Sequence, residues 1–227
     1  MEKTTQTSKD KSNLTKIAYD KIKEAIIANE LKPGLSISGN QLTQIFNMSR
    51  TPIREAVQLL ANEDFVEMQK GVGFFVKEVT PEELRDICEV RIALECSALR
   101  KTIARVSSEQ IKEMISRWLS LKEEIQRSGV DENIINRILG LDAATHRFIT
   151  ENGQNQYLSR LLDSIDKKIT RIKKLALNPH NALDSIRQHL GVLEAMRDNK
   201  LSLAERRLTK HLQYSVSHLG GGIPFIK

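Results

Sequence analysis

The sequence predicts a mainly α protein in two parts: an N-terminal winged helix-turn-helix, α with a small β wing, and a C-terminal all-α antiparallel helical bundle. Three observations carry that expectation. Between Lys32 and Val76 a Pro33-Gly34 turn, a short polar helix, the octapeptide Ser49-Arg50-Thr51-Pro52-Ile53-Arg54-Glu55-Ala56, a second helix and a glycine-bearing hairpin follow one another. Strand-like runs occur only near Leu35 to Ile37 and in that hairpin, and everything after Pro81 has helical periodicity. Thr80-Pro81-Glu82-Glu83 reads as a capping box with proline at the first helical position, so a helix starts directly after the hairpin and marks a domain boundary.

Taken in order, residues 1–13 are almost wholly polar and read as a disordered tail, residues 14–79 form the winged unit and residues 80–219 the helical unit. Residues 220–227 form a glycine-rich tail that cannot continue a helix. From Asn40, the apolar residues Leu42, Ile45 and Phe46 recur at helical spacing, and Asn47-Met48-Ser49 interrupts them with a residue suited to a tight turn. Ser49 or Thr51 can cap the next helix, Pro52 falls in its first turn where a missing N–H costs little, and Ile53, Val57 and Leu60 give it a buried stripe. Phe65 to Met68 and Phe74 to Val76 are strands around the turn Gln69 to Gly73. In the bundle a second capping box, Ser107-Ser108-Glu109-Gln110, opens a helix. Others are expected at about 131–150, 154–175, 180–199 and 201–218, broken at Asn152-Gly153, Asn178-Pro179 and Asn199-Lys200.

Composition narrows the partners. At 227 residues the chain can hold two modest domains, each with an adequate core. The net charge of +6 suits a polyanion, yet residues 1–80 hold 11 Lys+Arg against 10 Asp+Glu and the remainder 24 against 19, so any signal lies in where arginines are placed. No stretch approaches the roughly 18 apolar residues of a membrane span and no signal-peptide core is present, which makes a cytoplasmic protein the expectation. Cys88 and Cys96, eight apart on one expected helix, read as reduced core residues.

The opening turn of the second helix projects Arg50 and Arg54 four residues apart, beside the hydroxyls of Ser49 and Thr51. In helix-turn-helix docking this turn meets base edges, while helix N-termini and hydroxyls hold phosphates. A solvated helix end could carry two arginines as well, but not the strand-turn-strand that follows. Ser49, Arg50, Thr51 and Arg54, with Lys70, Gly71 and Gly73 of the wing, are therefore the candidate contacts to a double-stranded DNA operator.

A second constellation lies in the bundle. The inward stripe of the helix near 131–150 runs Ile134, Ile138, Asp142, Thr145, His146 and Ile149, placing a carboxylate and an imidazole one turn apart on a buried face. His189 lies in the same way among Ile186, Leu190 and Leu193, and His211 between Leu208 and Leu212. An unpaired buried carboxylate is expensive, and a divalent ion compensates it. Imidazole nitrogens with one carboxylate oxygen suit zinc first, and also nickel, manganese or iron. Any one of these histidines alone is a hydrogen-bonded core residue by preference, with Asp142 orienting His146; three on three helices point to a site. Such an ion keeps about one net positive charge, which favours a small anion such as a carboxylate or sugar acid. Arg91, on the inward stripe with Leu84, Ile87 and Cys88, is a candidate contact to it, or else a buried partner of Glu95 at i+4. In the basic run Lys167, Lys168, Arg171, Lys173 and Lys174, mostly a solvated face, Arg171 could turn inward to the same pocket.

These motifs resemble a known family. Pro33-Gly34 through Gln41-Leu42, the octapeptide from Ser49 to Ala56, and Gly71-Val72-Gly73-Phe74-Phe75-Val76 look like the DNA-binding domain of GntR-family bacterial transcription regulators, over about residues 14 to 78. Ser36 and Val72 stand where family members commonly carry arginine, so the operators of relatives do not transfer. Asp142-x3-His146, His189 and His211, with Leu190 and Leu193, resemble the metal-binding FCD effector domain of the FadR subfamily over about residues 82–218, as does Arg91 within Glu89-Val90-Arg91 and Leu94-Glu95. The resemblance implies a homodimer on an inverted-repeat operator, a metal with a coordination position open to an effector, and a regulator, more often a repressor than an activator, that is not an enzyme. Two other readings use the same ligands: a metal-sensing repressor in which the ion is the signal, and a helical metallohydrolase. The latter lacks a His-Glu-x-x-His, a Gly-x-Ser-x-Gly and an inward glutamate obviously placed as general base.

Overall fold

The computed structural model describes the backbone of residues 2–69, 73–177 and 179–219, and the side chains of residues 13–69, 73–165, 169, 170, 173, 177 and 181–214. The chain divides into two units, Met1–Val79 and Thr80–Lys227.

The first unit runs α1 (Glu2–Ile27), β1 (Ser36–Ile37), α2 (Gly39–Phe46), α3 (Arg50–Asn62), β2 (Val66–Gln69) and β3 (Gly73–Val76). Residues 2–13, expected as a disordered tail, extend α1 upstream as helical backbone; the stretch has no proline or glycine to stop a helix. Helix α1 packs on α3, and Ala18, Ile22 and Ile26 join Ile53, Ala56, Val57 and Leu60 in one core. Ser38 caps α2 through a full capping box: its Oγ accepts from Gln41 N at 3.2 Å while Gln41 Oε1 accepts from Ser38 N at 2.8 Å. Asn47, at φ 50°, ends the helix in the left-handed region that asparagine tolerates. Of the apolar trio expected inside α2, Leu42 is buried and Phe46 half-buried, but Ile45 is 58 % exposed; an eight-residue helix needs only two inward positions to seat it. Ser49 is the N-cap of α3, with no capping hydrogen bond from its side chain.

The wing is an antiparallel sheet of order β1-β3-β2, with Ser36 opposite Phe75, Glu67 opposite Phe75 and Gln69 opposite Gly73. The Pro33-Gly34 turn feeds it: Gly34, at φ 73°, donates its N–H to Val76 O at 2.8 Å, and Val76 N returns to Leu35 O at 3.0 Å.

Among the described residues the second unit holds six helices: α4 (Pro81–Thr102), α5 (Ser108–Ser128), α6 (Glu132–Asn152), α7 (Gln156–Ala176), α8 (Pro179–Arg197) and α9 (Leu201–Leu219). Thr80 Oγ1 accepts from Glu83 N at 3.1 Å to start α4, and Ser107 with Gln110 closes the second capping box at α5. Helix α6 touches α4, α5, α7 and α8, and one apolar core runs through the bundle. Trp118 is wholly buried there, its indole N–H donating to Thr145 Oγ1 at 2.9 Å. Cys88 and Cys96 are free buried thiols, and burial pushes Cys88 up to about 11, so neither is a nucleophile at neutral pH. No helix among the described residues is long and apolar enough to cross a membrane.

Candidate metal centre and nucleic-acid interface

Periodicity alone sets up the first site. Four residues on α6 carry the chain through about one turn, so Asp142 and His146 share a face, and the apolar neighbours that bury this face bury them too. Helix α8 brings His189 and α9 brings His211 to the same point. All four are buried, and one ligand atom from each lies within 4.8 Å of every other. His146 Nε2 is 3.1 Å from His211 Nε2; Asp142 Oδ1 is 3.2 Å from His189 Nε2 and 4.0 Å from His211 Nε2; Asp142 Oδ2 is 3.9 Å from His146 Nε2. Donors that share one zinc at about 2.0–2.2 Å stand about 3–3.5 Å apart, which the two shortest of these separations match and the two longer ones exceed.

The partners of the other ring nitrogens set the tautomers. His146 Nδ1 lies 2.6 Å from Glu95 Oε2, His189 Nδ1 lies 2.7 Å from Ser185 O, and His211 Nδ1 lies 3.0 Å from Gln188 Oε1. Each of those oxygens accepts, so each Nδ1 carries the proton and each Nε2 presents a lone pair. Three Nε2 lone pairs thus converge beside a buried carboxylate, an arrangement that a cation among the nitrogens would relieve. His189 Nε2 shows the deficit directly: despite its nearness to Asp142 it makes no hydrogen bond there, an orphaned buried nitrogen. The donor set fits a divalent ion held by neutral imidazoles and one carboxylate.

Electrostatics agree. Burial lowers the imidazolium pKa of His189, and burial first, then the crowding of three imidazoles that could not all be charged together, holds that of His211 well below the ordinary value, which keeps both rings neutral and able to ligate. Burial would raise the Asp142 carboxyl, but the Lys173 ammonium and the neighbouring imidazoles hold it well below the usual range, and so charged. Lys173 Nζ is 2.6 Å from Asp142 Oδ2. The lysine, read from sequence as part of a solvated face, is turned inward.

Glu95 is the functional residue that sequence reasoning came nearest to and did not place. It is 1 % exposed, with Oε1 accepting from Arg91 Nε at 2.7 Å and Oε2 against His146. Arg91 therefore stands behind His146, one carboxylate removed from the cluster, in the pairing weighed against effector contact. Burial works against the Glu95 charge, but the Arg91 guanidinium and the hydrogen bond with His146 bring its carboxyl down to about 2. With a folded value near 2 and an ordinary value of 4.5, its contribution to stability is present above about pH 4.5 and is lost as pH falls toward 2. Glu95→Gln keeps the shape and removes the charge that fixes the His146 tautomer. Zinc affinity, measured by competition with a chromophoric chelator, should drop about 10–100-fold, as is usual when such a supporting group is lost. An unchanged affinity would show that His146 is not held this way. Trp118 was equally unmarked in the sequence: its ring stacks on His189 at 4.4 Å between centroids, with 18° between planes.

The second site lies in the first unit. Ser49, Arg50, Thr51 and Arg54 are all exposed at the start of α3, and Arg50, Thr51 and Arg54 line a cleft of about 890 Å³ that also takes in Asn40, Met68 and Phe74 from α2 and the wing. Pro52 and Ile53, between them in sequence, point into the core, so the alternation comes from the helix itself. Gly73 also borders the cleft and is fixed by shape, since at φ 139° a Cβ would stand 3.1 Å from Ile37 O. Lys70 and Gly71 lie outside the described residues, as does the side chain of Arg171.

Comparison with known proteins places both parts. Residues 14–76 match the "Bacterial regulatory proteins, gntR family" domain and residues 86–214 the FCD domain. An uncharacterized HTH-type transcriptional regulator of Bacillus subtilis (strain 168), YdhC, is 25 % identical over 202 residues, 88 % of each chain. The HTH-type transcriptional repressor RspR of Escherichia coli (strain K12) is 23 % identical over 86 % of this chain and 84 % of its own. Among solved structures, a putative GntR transcriptional regulator from Rhodococcus sp. RHA1 has a TM-score of 0.74 at 18 % identity, covering 94 % of this chain and 100 % of that one. The E. coli protein McbR/YncC has a TM-score of 0.71 at 19 % identity, covering 91 % and 96 %. At such identities these structures share the fold.

Proposed function

The chain belongs to the GntR family of DNA-binding bacterial transcription regulators and carries an FCD domain, and we propose that it is a cytoplasmic, homodimeric repressor whose operator affinity is set by a small carboxylate or sugar-acid effector at the metal centre of its helical unit. The observation that carries this reading is the convergence of three histidine Nε2 atoms on the buried Asp142. Asp142, His146, His189 and His211 would hold the ion, which supplies a Lewis-acidic centre of about one net positive charge, zinc being the best match to the donors. Glu95, Ser185 O and Gln188 orient the three rings. Arg91, considered from sequence as a direct effector contact, acts in this reading through Glu95.

Helix α4 is the natural carrier of the signal. It starts at Pro81, two residues after the first unit ends, and the same helix holds Arg91 and Glu95 against His146. A change in how His146 sits is felt by α4 through that carboxylate. Hydrolase chemistry is poorly served: Glu95 is the inward glutamate nearest the cluster, but both its oxygens are engaged and its depressed pKa makes it a weak base. The relative named RspR is a repressor, which supports the same role here.

On DNA, Arg50 and Arg54 are positioned to reach base edges or adjacent phosphates of an inverted repeat. Arg50→Ala and Arg54→Ala should each cost about 1–3 kcal/mol in specific binding, read as electrophoretic mobility shifts at physiological salt. If both variants bind the operator as tightly as the parent, α3 does not dock as described.

A further inference from the structure

Asp142 presents its two oxygens to different partners. Oδ1 is the one 3.2 Å from His189 Nε2 and 4.0 Å from His211 Nε2, whereas Oδ2 accepts from Lys173 Nζ at 2.6 Å and stands 3.9 Å from His146 Nε2. Both side chains of that ion pair are deep, Lys173 at 12 % exposure and Asp142 at 10 %. A carboxylate with one oxygen on an ammonium has the other left for a metal. Lys173 thus occupies Oδ2 and leaves Oδ1 the freer oxygen for an ion that the cluster would hold. An ammonium has three N–H donors, and one goes to Oδ2. The lysine thus sets a second cationic anchor at the edge of the three-histidine cluster.

Building on the metal reading above, we propose that Lys173 is an effector-contacting residue and that the effector class is a dianion, with one carboxylate at the metal and a second on the Lys173 ammonium. Among the described residues Arg91 is the other buried cation of this neighbourhood, and it is the poorer anchor. Its Nε is held by Glu95, whose other oxygen meets His146 at Nδ1, the ring edge turned away from the cluster. A monoanion can satisfy the metal alone and leaves the second cation unused.

Cobalt(II), whose visible spectrum responds to a change of ligand, serves as the probe metal in the full-length protein, with acetate and succinate as the probe anions. Succinate closes only a poorly stable seven-membered ring on a metal, so a preference for it does not come from chelation. The parent should bind succinate at least about tenfold more tightly than acetate, the size expected of one charge-assisted hydrogen bond. In Lys173→Met that preference should vanish while cobalt uptake and the acetate response persist, and Lys173→Arg should restore part of it. A parent that takes up cobalt but does not distinguish the two anions, or a Lys173→Met protein that keeps the parent's preference, overturns the proposal alone. Loss of cobalt uptake by Lys173→Met, with unchanged circular dichroism, would reduce Lys173 to a support for Asp142 and overturn it as well. A parent that takes up no cobalt overturns the metal reading, and this proposal with it.

Discussion

Purified parent protein should carry about one divalent ion per chain, zinc by preference, and the His146→Ala, His189→Ala variant close to none. The cluster is a single group of four side chains, and the double substitution removes two of its three lone-pair nitrogens at once. Folding stability should follow metal content. A ligand that binds only the folded state stabilises it by about 4 kcal/mol when present at about a thousand times its dissociation constant, so chelation should lower the parent's Tm and leave the variant's unchanged. The only tryptophan in the chain offers an internal monitor, because Trp118 stacks directly on His189. Its fluorescence should change when the parent is stripped of metal and reloaded. Elemental analysis of both proteins decides the matter: equal metal content in parent and variant would return the three histidines to the role of hydrogen-bonded core residues.

How much of this was legible in the sequence depends on the kind of information a residue pattern holds. Capping residues, turn residues and apolar spacing are local, so the boundaries at Thr80 and Ser107 and the inward faces of α6, α8 and α9 could be read directly, and Asp142, His146, His189 and His211 came with them. Which side chains meet across helices is not local. Glu95 and His146 are 51 residues apart and Lys173 and Asp142 are 31 apart, and nothing in either stretch of sequence announces the other. Lys173 was hidden further by its company, since a run of basic residues on one helix looks like a solvated face, and only the packing of α7 on α6 turns this lysine toward a carboxylate. A signal did exist for Glu95: a glutamate four residues after a buried arginine is expected to pair with it. Its second oxygen, and so its hold on His146, needed the fold. In α2 the error ran the other way, as Ile45 satisfied a periodic pattern whose inward face had room for Leu42 and Phe46 alone.

The second large effect should appear when the two units are tested together. An anionic effector can shift operator affinity only by as much as it favours one arrangement of the helical unit over another, and the usual range for such coupling is about 1–3 kcal/mol, or roughly 5–150-fold. We expect weakening of operator binding, as for a repressor released by its ligand. The route is physical: a guest at the metal bears on His146, His146 on Glu95, and Glu95 on α4, whose capped first turn begins at Thr80. The measurement is operator binding by fluorescence anisotropy across small mono-, di- and tricarboxylates and sugar acids, with metal-loaded and with chelated protein. An active compound should lose its effect in chelated protein and in the Asp142→Ala, His211→Ala variant. If it shifts affinity equally there, the metal does not mediate the response. If instead metal alone moves operator affinity and no anion adds to it, the ion is the signal, and the site works as a metal sensor built from the same four side chains.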